Sequence, residues 1–238
     1  MIYLRKAAER GNANFGWLNS FHSFSFGHYY DPSHMGWGLL RVINDDTVDP
    51  GAGFAPHGHR DMEIISYVLE GGLHHKDSQG HESVLRAGEV QRMSAGTGIR
   101  HSEYNHSNED PVHFLQIWVV PNQQGLTPGY EQKAIAQQGK LTPLVSHDQR
   151  GGSLKIHQDM VMSRLQLQPG EEIALPASKR SGYLHVIEGA LDCQLENPSP
   201  LALLPGDGLG VQAEPSLQLQ AREPTTALWF DLPAISNT

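Results

Sequence analysis

The segment SYVLEGGL (66–73) returns 118 residues later as LHVIEGAL (184–191), and at the same offset LRAGEV (85–90) falls over LLPGDG (203–208). Each copy is a strand-like run, a Glu-Gly turn, a second apolar run and then a Gly-acid turn. No gap is needed between the two matches, so they share one register. Two matches in one register imply a duplicated domain built from strand–turn–strand units. The join is expected in PNQQGLTPGYEQK (121–133), which divides the chain into domains at 1–130 and 131–238.

The rest of the chain carries the same signals. GLLRVIND (38–45), EIISYVLEG (63–71), GGLHHKDS (71–78), ESVLRAGEV (82–90) and HFLQIWVVP (113–121) are short and rich in β-branched and aromatic residues. So are MSRLQLQP (162–169), YLHVIEGALDCQLE (183–196) and TALWFDLP (226–233). With 25 Gly and 15 Pro placed between such runs, an all-β chain of antiparallel sandwiches or barrels is expected. Helix is sparse, and YEQKAIAQQG (130–139), after Pro128, is its best candidate.

Charge narrows the partners. The net charge is −9, without a basic cluster, which disfavours direct binding of a polyanion such as a nucleic acid. Cys193 is the single cysteine, so no intramolecular disulfide forms, as suits a reducing cytoplasm. No window approaches the ~18 apolar residues of a membrane span. A soluble, cytoplasmic protein is expected.

The chemistry lies in histidines. FAPHGHRDMEI (54–64) sets His57 and His59 two apart, behind a Gly- and Pro-containing turn. Residues two apart on a strand point to one face, so both imidazoles can meet one ion. SAGTGIRHSEYN (94–105) repeats the arrangement with His101 and Glu103. If the two strands are neighbours, three imidazoles and one carboxylate face a common interior. Such a donor set suits Fe(II), Mn(II), Ni(II), Cu(II) or Zn(II) and is too nitrogen-rich for magnesium or calcium. Glu63 competes with Glu103, because 57, 59, 61 and 63 share parity on an unbroken strand. At the repeat offset the four positions hold Leu175, Ala177, Leu219 and Ala221, none of which binds metal. One site per chain, in the first domain, is expected.

These residues carry a resemblance. Gly51, His57, His59 and Glu63 are similar to the first motif of the cupin superfamily, and Gly88, Gly96, His101 and Asn105 echo the second. In that echo Ser94 stands for a proline, and the histidine lies two residues late. GIRHSE together with FHSFSFGHYYDP (21–32) and LRVINDD (40–46) resembles the pirin family, in its bacterial branch with quercetin 2,3-dioxygenase activity. The resemblance implies a monomeric bicupin, two jelly-roll barrels with metal only in the first. It implies His57, His59, His101 and Glu103 as ligands of one divalent transition metal, Fe(II) before Mn, Ni, Co, Cu or Zn. It also implies a flavonol and dioxygen as substrates, ring opening with loss of carbon monoxide, and Glu103 as the base. The rival function is a metal-dependent sensor or transcriptional cofactor that binds a protein partner, and a further one is oxygenation of another enolic compound.

The remaining histidines take plainer readings. His22, His28 and His34 pack among aromatics or line an entrance. His74, His75 and His81 flank the KDSQG turn at the surface, Asp61 is an exposed turn carboxylate, and His157 and His185 are structural residues of the second domain. Cys193 is a buried small residue, and the aromatics of QIWVV and LWFDL are core.

Overall fold

The computed structural model describes residues 1–194 and 200–235, so Leu195 and Glu196, the end of one expected run, lie outside the described residues. Helix is confined, among the described residues, to the 3-10 turns Ala7–Glu9 and Arg150–Gly152. The strands are β1 (Ile2–Arg5), β2 (Gly11–Asn14), β3 (Leu18–His22), β4 (Leu40–Val48), β5 (Gly53–His59), β6 (Glu63–Glu70) and β7 (Gly72–Asp77). They continue as β8 (Glu82–Arg86), β9 (Glu89–Ser94), β10 (Ile99–Asn105), β11 (Val112–Val119), β12 (Gly129–Ala134) and β13 (Leu141–Ser146). The chain ends with β14 (Leu154–Lys155), β15 (Val161–Leu167), β16 (Glu172–Glu188), β17 (Leu191–Gln194), β18 (Leu201–Leu203), β19 (Gly208–Ala221) and β20 (Thr225–Leu232).

The chain divides into two compact units that are not contiguous halves. One comprises Gly11–Ile135 with Leu154–Gln158, and the other Met1–Arg10, Ala136–Ser153 and Asp159–Thr238. This departs from the expected division at 130/131 in two segments. The first strand pairs antiparallel with β19, from Ile2 opposite Val211 to Arg5 opposite Gly208. Lys6 and the Ala7 amide then bind the Asp207 carboxylate at 2.8 and 2.7 Å. Residues 154–158 join the opposite unit, where the Arg92 guanidinium donates to the Lys155 carbonyl.

In the first unit, a seven-stranded sheet of order β12-β9-β6-β11-β4-β3-β2 accompanies a four-stranded sheet of order β5-β10-β7-β8. Leu18, Val48, Val68, Val112 and Phe114 of the larger sheet form one buried cluster with Leu73 and Leu85 of the smaller. Burial alternates along β3 and β10, whereas β6 is buried at consecutive positions, and burying the inward apolar side chains closes the sandwich. In the second unit the order is β13-β15-β20-β16-β19-β17-β18, with β1 on β19. Its core gathers Leu165, Leu184, Val186, Leu209, Val211 and Trp229.

The sequence repeat is visible in the backbone. Gly71 and Gly189 have φ of 78° and 80°, and Gly88 and Gly206 both have 81°. Such values strain any residue with a Cβ. The Gly88 amide donates to the Val68 carbonyl at 2.9 Å, and Gly206 donates to Val186 at 2.8 Å. Leu175, Leu219 and Ala221, at the offset of three expected ligands, belong to the second unit's apolar core.

The expected helix over 130–139 does not form, because residues 129–134 are strand β12, paired along β9 from Gly129–Ser94 to Ala134–Glu89. Ten residues cannot sustain a helix without tertiary packing, whereas the open sheet edge supplies a partner for each backbone group. The alternation fits as well. Tyr130 and Gln132 share a face, joined at 2.8 Å, and Glu131 turns to Arg92.

Candidate metal centre

His57 and His59 close β5, and His101 and Glu103 lie on its neighbour β10, with His101 directly opposite His57. The register slips between His101 and Glu103 on this side, where Ala55 and Pro56 take up an extra residue of β5. Proline has no amide hydrogen to donate, so the slip falls where the ladder is weakest. Against β7 the pairing of β10 stays regular, His101 facing Asp77 and Glu103 facing His75. Parity along β10 is therefore kept, and His101 and Glu103 point to one side. Gly53 permits this close approach, since a Cβ there would overlap the Glu103 carbonyl and the Tyr104 backbone.

Donor atoms of His57, His59 and His101 all lie within 4.8 Å of one another. Their rings are separated by 4.8 Å (His57–His59), 4.5 Å (His57–His101) and 4.9 Å (His59–His101). A second, overlapping group joins His75, His101 and Glu103 within the same span. The Glu103 carboxylate accepts from Gln116 Nε2 at 2.8 Å, and the Ser66 hydroxyl holds Gln116 in turn by donating to its Oε1 at 2.9 Å, which fixes the orientation of the carboxylate.

The electrostatics favour lone pairs over protons. Burial, then the neighbouring imidazoles, pushes His59 down to about 4 and His101 down to about 3. Neutral rings at neutral pH are what a cation requires. The His57 Nδ1–H donates to the Ala55 carbonyl at 2.8 Å, leaving Nε2 with its lone pair. Both ring nitrogens of His101 are buried without a hydrogen-bond partner. An orphaned buried nitrogen costs about 1–3 kcal/mol, and coordination by a transition metal would satisfy one. The residues fit such an ion.

Glu63 goes elsewhere. Asp61 sits in the left-handed region at φ 48° and ends the extended path from His59. Glu63 opens β6 in the other sheet, 3.4 Å from Nδ1 of His157, whose amide also donates to it at 3.3 Å. His157, expected to be a structural residue of the second domain, thus belongs to the first unit.

His75 corrects a second expectation. Expected at the surface, it is fully buried, with Nε2 3.1 Å from Asp77 and its ring 5.4 Å from that of His101. Parity with buried Leu73 carried the signal, but two adjacent histidines beside a polar turn resemble a wet loop. His81 is exposed and His74 half-buried. Trp118, expected in the core, instead edges onto His59 at 5.0 Å and lines a cavity, while Trp229 and Phe230 are core.

That cavity, of about 390 Å³, is bounded by Phe15, Phe26, Phe54 and Trp118 on its apolar side, and by His57, His59 and Glu103 at the donor cluster. Its size falls in the usual range for small organic ligands. His22, buried, and His28, exposed, also line it. A further wall carries Ser20, Asn44, Asp46 and Gln116. Burial pushes the Asp46 carboxyl up to about 7, against a lowering hydrogen bond from Ser20.

Two antiparallel β-units in one chain, one of them holding converging imidazoles beside a cavity, define a bicupin. The Pirin family model matches residues 4–119, and the model of the quercetinase C-terminal cupin domain matches 143–232. The chain is 48% identical over 237 residues to quercetin 2,3-dioxygenase of Escherichia coli strain K12, covering 99% of this chain and 100% of that one. It is 47% identical to the bacterial pirin YhhW of Escherichia coli solved with nickel(II), with a TM-score of 0.93 over 99% of this chain and 100% of the other. A second structure of YhhW gives 45% identity and a TM-score of 0.94, with both chains fully covered. The chain belongs to the pirin family.

Proposed function

We propose that the protein is a metal-dependent dioxygenase that opens the ring of flavonols such as quercetin. The observation that carries this reading is the junction of the imidazole cluster with an aromatic-walled cavity of about 390 Å³. Full-length similarity to a quercetin 2,3-dioxygenase supports the same chemistry. His57, His59, His101 and Glu103 would hold one divalent transition metal, with Fe(II) first among Mn, Ni, Co, Cu and Zn. The ion would supply Lewis acidity toward an enolic hydroxyl and open positions for substrate and dioxygen.

The chain's own residues then have distinct tasks. Phe26, Phe54 and Trp118 offer flat apolar faces that orient a planar aromatic substrate and exclude water. Glu103, which accepts from Gln116, would take the proton of the enolic hydroxyl. A cytoplasmic monomer is the form we assign to the protein.

The test is anaerobic reconstitution with Fe(II), followed by quercetin and dioxygen. Loss of quercetin with release of carbon monoxide, abolished by a chelator and by His57→Ala, is the expected result. If protein loaded with Fe, Mn, Ni, Co or Cu stays folded and leaves flavonols untouched, the metal-dependent binding-protein reading replaces this one.

A further inference from the structure

The parity that turns His59, Asp77, Ile99 and His101 inward turns Gly58, Ser78 and Arg100 to the outer face of the four-stranded sheet, where all three are exposed. Arg100 stands directly opposite Gly58, and the Ser78 amide donates to the Arg100 carbonyl at 2.8 Å. Together with Arg60 and Gly98 these residues border a shallow groove of about 410 Å³. His59 borders both this groove and the aromatic cavity, so the imidazole cluster has a space on each side. The glycines keep the groove open. A Cβ at Gly98 would meet nothing within 4 Å, and one at Gly58 nothing closer than 3.8 Å.

Arg60 and Arg100 pair with no carboxylate among the described residues, whereas Arg92, Arg150, Arg180 and Arg222 each hold one. Arg100 Nη2 donates to the Pro56 carbonyl at 2.9 Å, which anchors the guanidinium by one of its five N–H groups and leaves the others. The Ser78 hydroxyl accepts from the Arg100 amide at 3.1 Å, so its own proton is left to donate. The acids next along the chain are engaged elsewhere. Asp61 accepts from the Gly125 amide at 2.7 Å, and Asp77 is buried against His75 and His81. A groove with two unneutralised guanidinium groups, a hydroxyl donor and no carboxylate attracts an anion, even on a chain of net charge −9.

We propose that this groove is an oxyanion-binding site, in which Arg60 and Arg100 hold a small carboxylate or phosphate and Ser78 donates its hydroxyl proton to it. The site goes beyond the flavonol reading. It is a second ligand position, on the outer side of His59, and it needs neither the aromatic cavity nor a metal. The shared chemistry is a compact oxyanion, which the guanidinium fork matches with two parallel hydrogen bonds.

The test is calorimetric titration of the full chain at low ionic strength with benzoate and, separately, with inorganic phosphate. It is run on metal-loaded and on chelator-treated protein, for the wild type, Arg60→Gln, Arg100→Gln and Ser78→Ala, with circular dichroism to confirm the fold. One anion should bind per chain in both preparations, and each arginine variant should weaken it by about tenfold or more, the scale of one charge-assisted hydrogen bond. Saturation by benzoate alone would make the ligand a carboxylate, saturation by phosphate alone a phosphate, and either supports the site. No saturable binding of either probe would overturn it. So would binding that disappears on chelation, which would place the anion on the metal, or an affinity unchanged in folded Arg60→Gln and Arg100→Gln.

Discussion

Glu63 turns its carboxylate to His157, Oε1 lying 3.4 Å from Nδ1, and so away from the histidines four and six residues before it. The left-handed Asp61 breaks the parity that would otherwise have carried Glu63 to the face of His57 and His59. Glu63→Gln should therefore leave one metal per chain by elemental analysis, with activity retained. Glu103→Gln should lower metal occupancy and remove flavonol turnover. Loss of metal from Glu63→Gln alone would reverse this assignment.

His75 acts on the site from behind. Its Nε2 bonds Asp77, and its ring neighbours that of His101 within the buried strand pair. Hydrogen-bonded partners of a ligand are typically worth roughly 10–100-fold in metal affinity, and His75, which touches the His101 ring without a hydrogen bond, is expected at the lower end of that scale. His75→Leu should weaken metal binding on that scale in a competition titration with a chromophoric chelator, while circular dichroism keeps the β signature. Affinity unchanged in a folded variant would assign His75 to packing alone.

Gly53 supports the geometry through the backbone. A side chain there would run into the Glu103 carbonyl and Tyr104, and β5 would have to move with His57 on it. Gly53→Val should cost about 1–3 kcal/mol, as overpacking of a close contact does, and should lower metal affinity. Denaturant unfolding together with metal titration checks both, and a variant with neither defect would contradict the close approach.

Asp46 should shape the pH dependence of the metal-free protein. Its folded value is pushed up to about 7 by burial, with Asp45 and Glu103 adding to the rise. The unfolded value is about 3.9. A raised carboxyl contributes stability that is complete below the unfolded value and is lost as pH climbs through the folded one. Between pH 4 and 7, wild-type Tm measured in chelator should fall relative to that of Asp46→Asn. Parallel curves for the two proteins would show that Asp46 does not titrate in this window.

The fold was legible in sequence wherever a local pattern and the tertiary result agree. The 118-residue repeat reappears as paired turn glycines, because only glycine tolerates φ near 80° at those corners. The spacings His57–His59 and His101–Glu103 were readable because strand parity is a local property. Residues 130–139 were misread because their composition suits a helix and a sheet edge equally, and the edge of β9 decides between them. His157 was misplaced for a related reason. The crossing of residues 154–158 into the first unit is a property of the folded chain that no local pattern encodes. His75 shows a third limit, since its burial depends on β7 lying against β10.

The central claim is that one transition metal sits among His57, His59, His101 and Glu103, and an anomalous-scattering map of crystals of the metal-loaded protein tests it most directly. The account predicts a single strong peak per chain at bonding distance from those four side chains. A peak held by Glu63 and His157, one among the residues of the second unit, or none at the imidazole cluster of a fully loaded protein would contradict it.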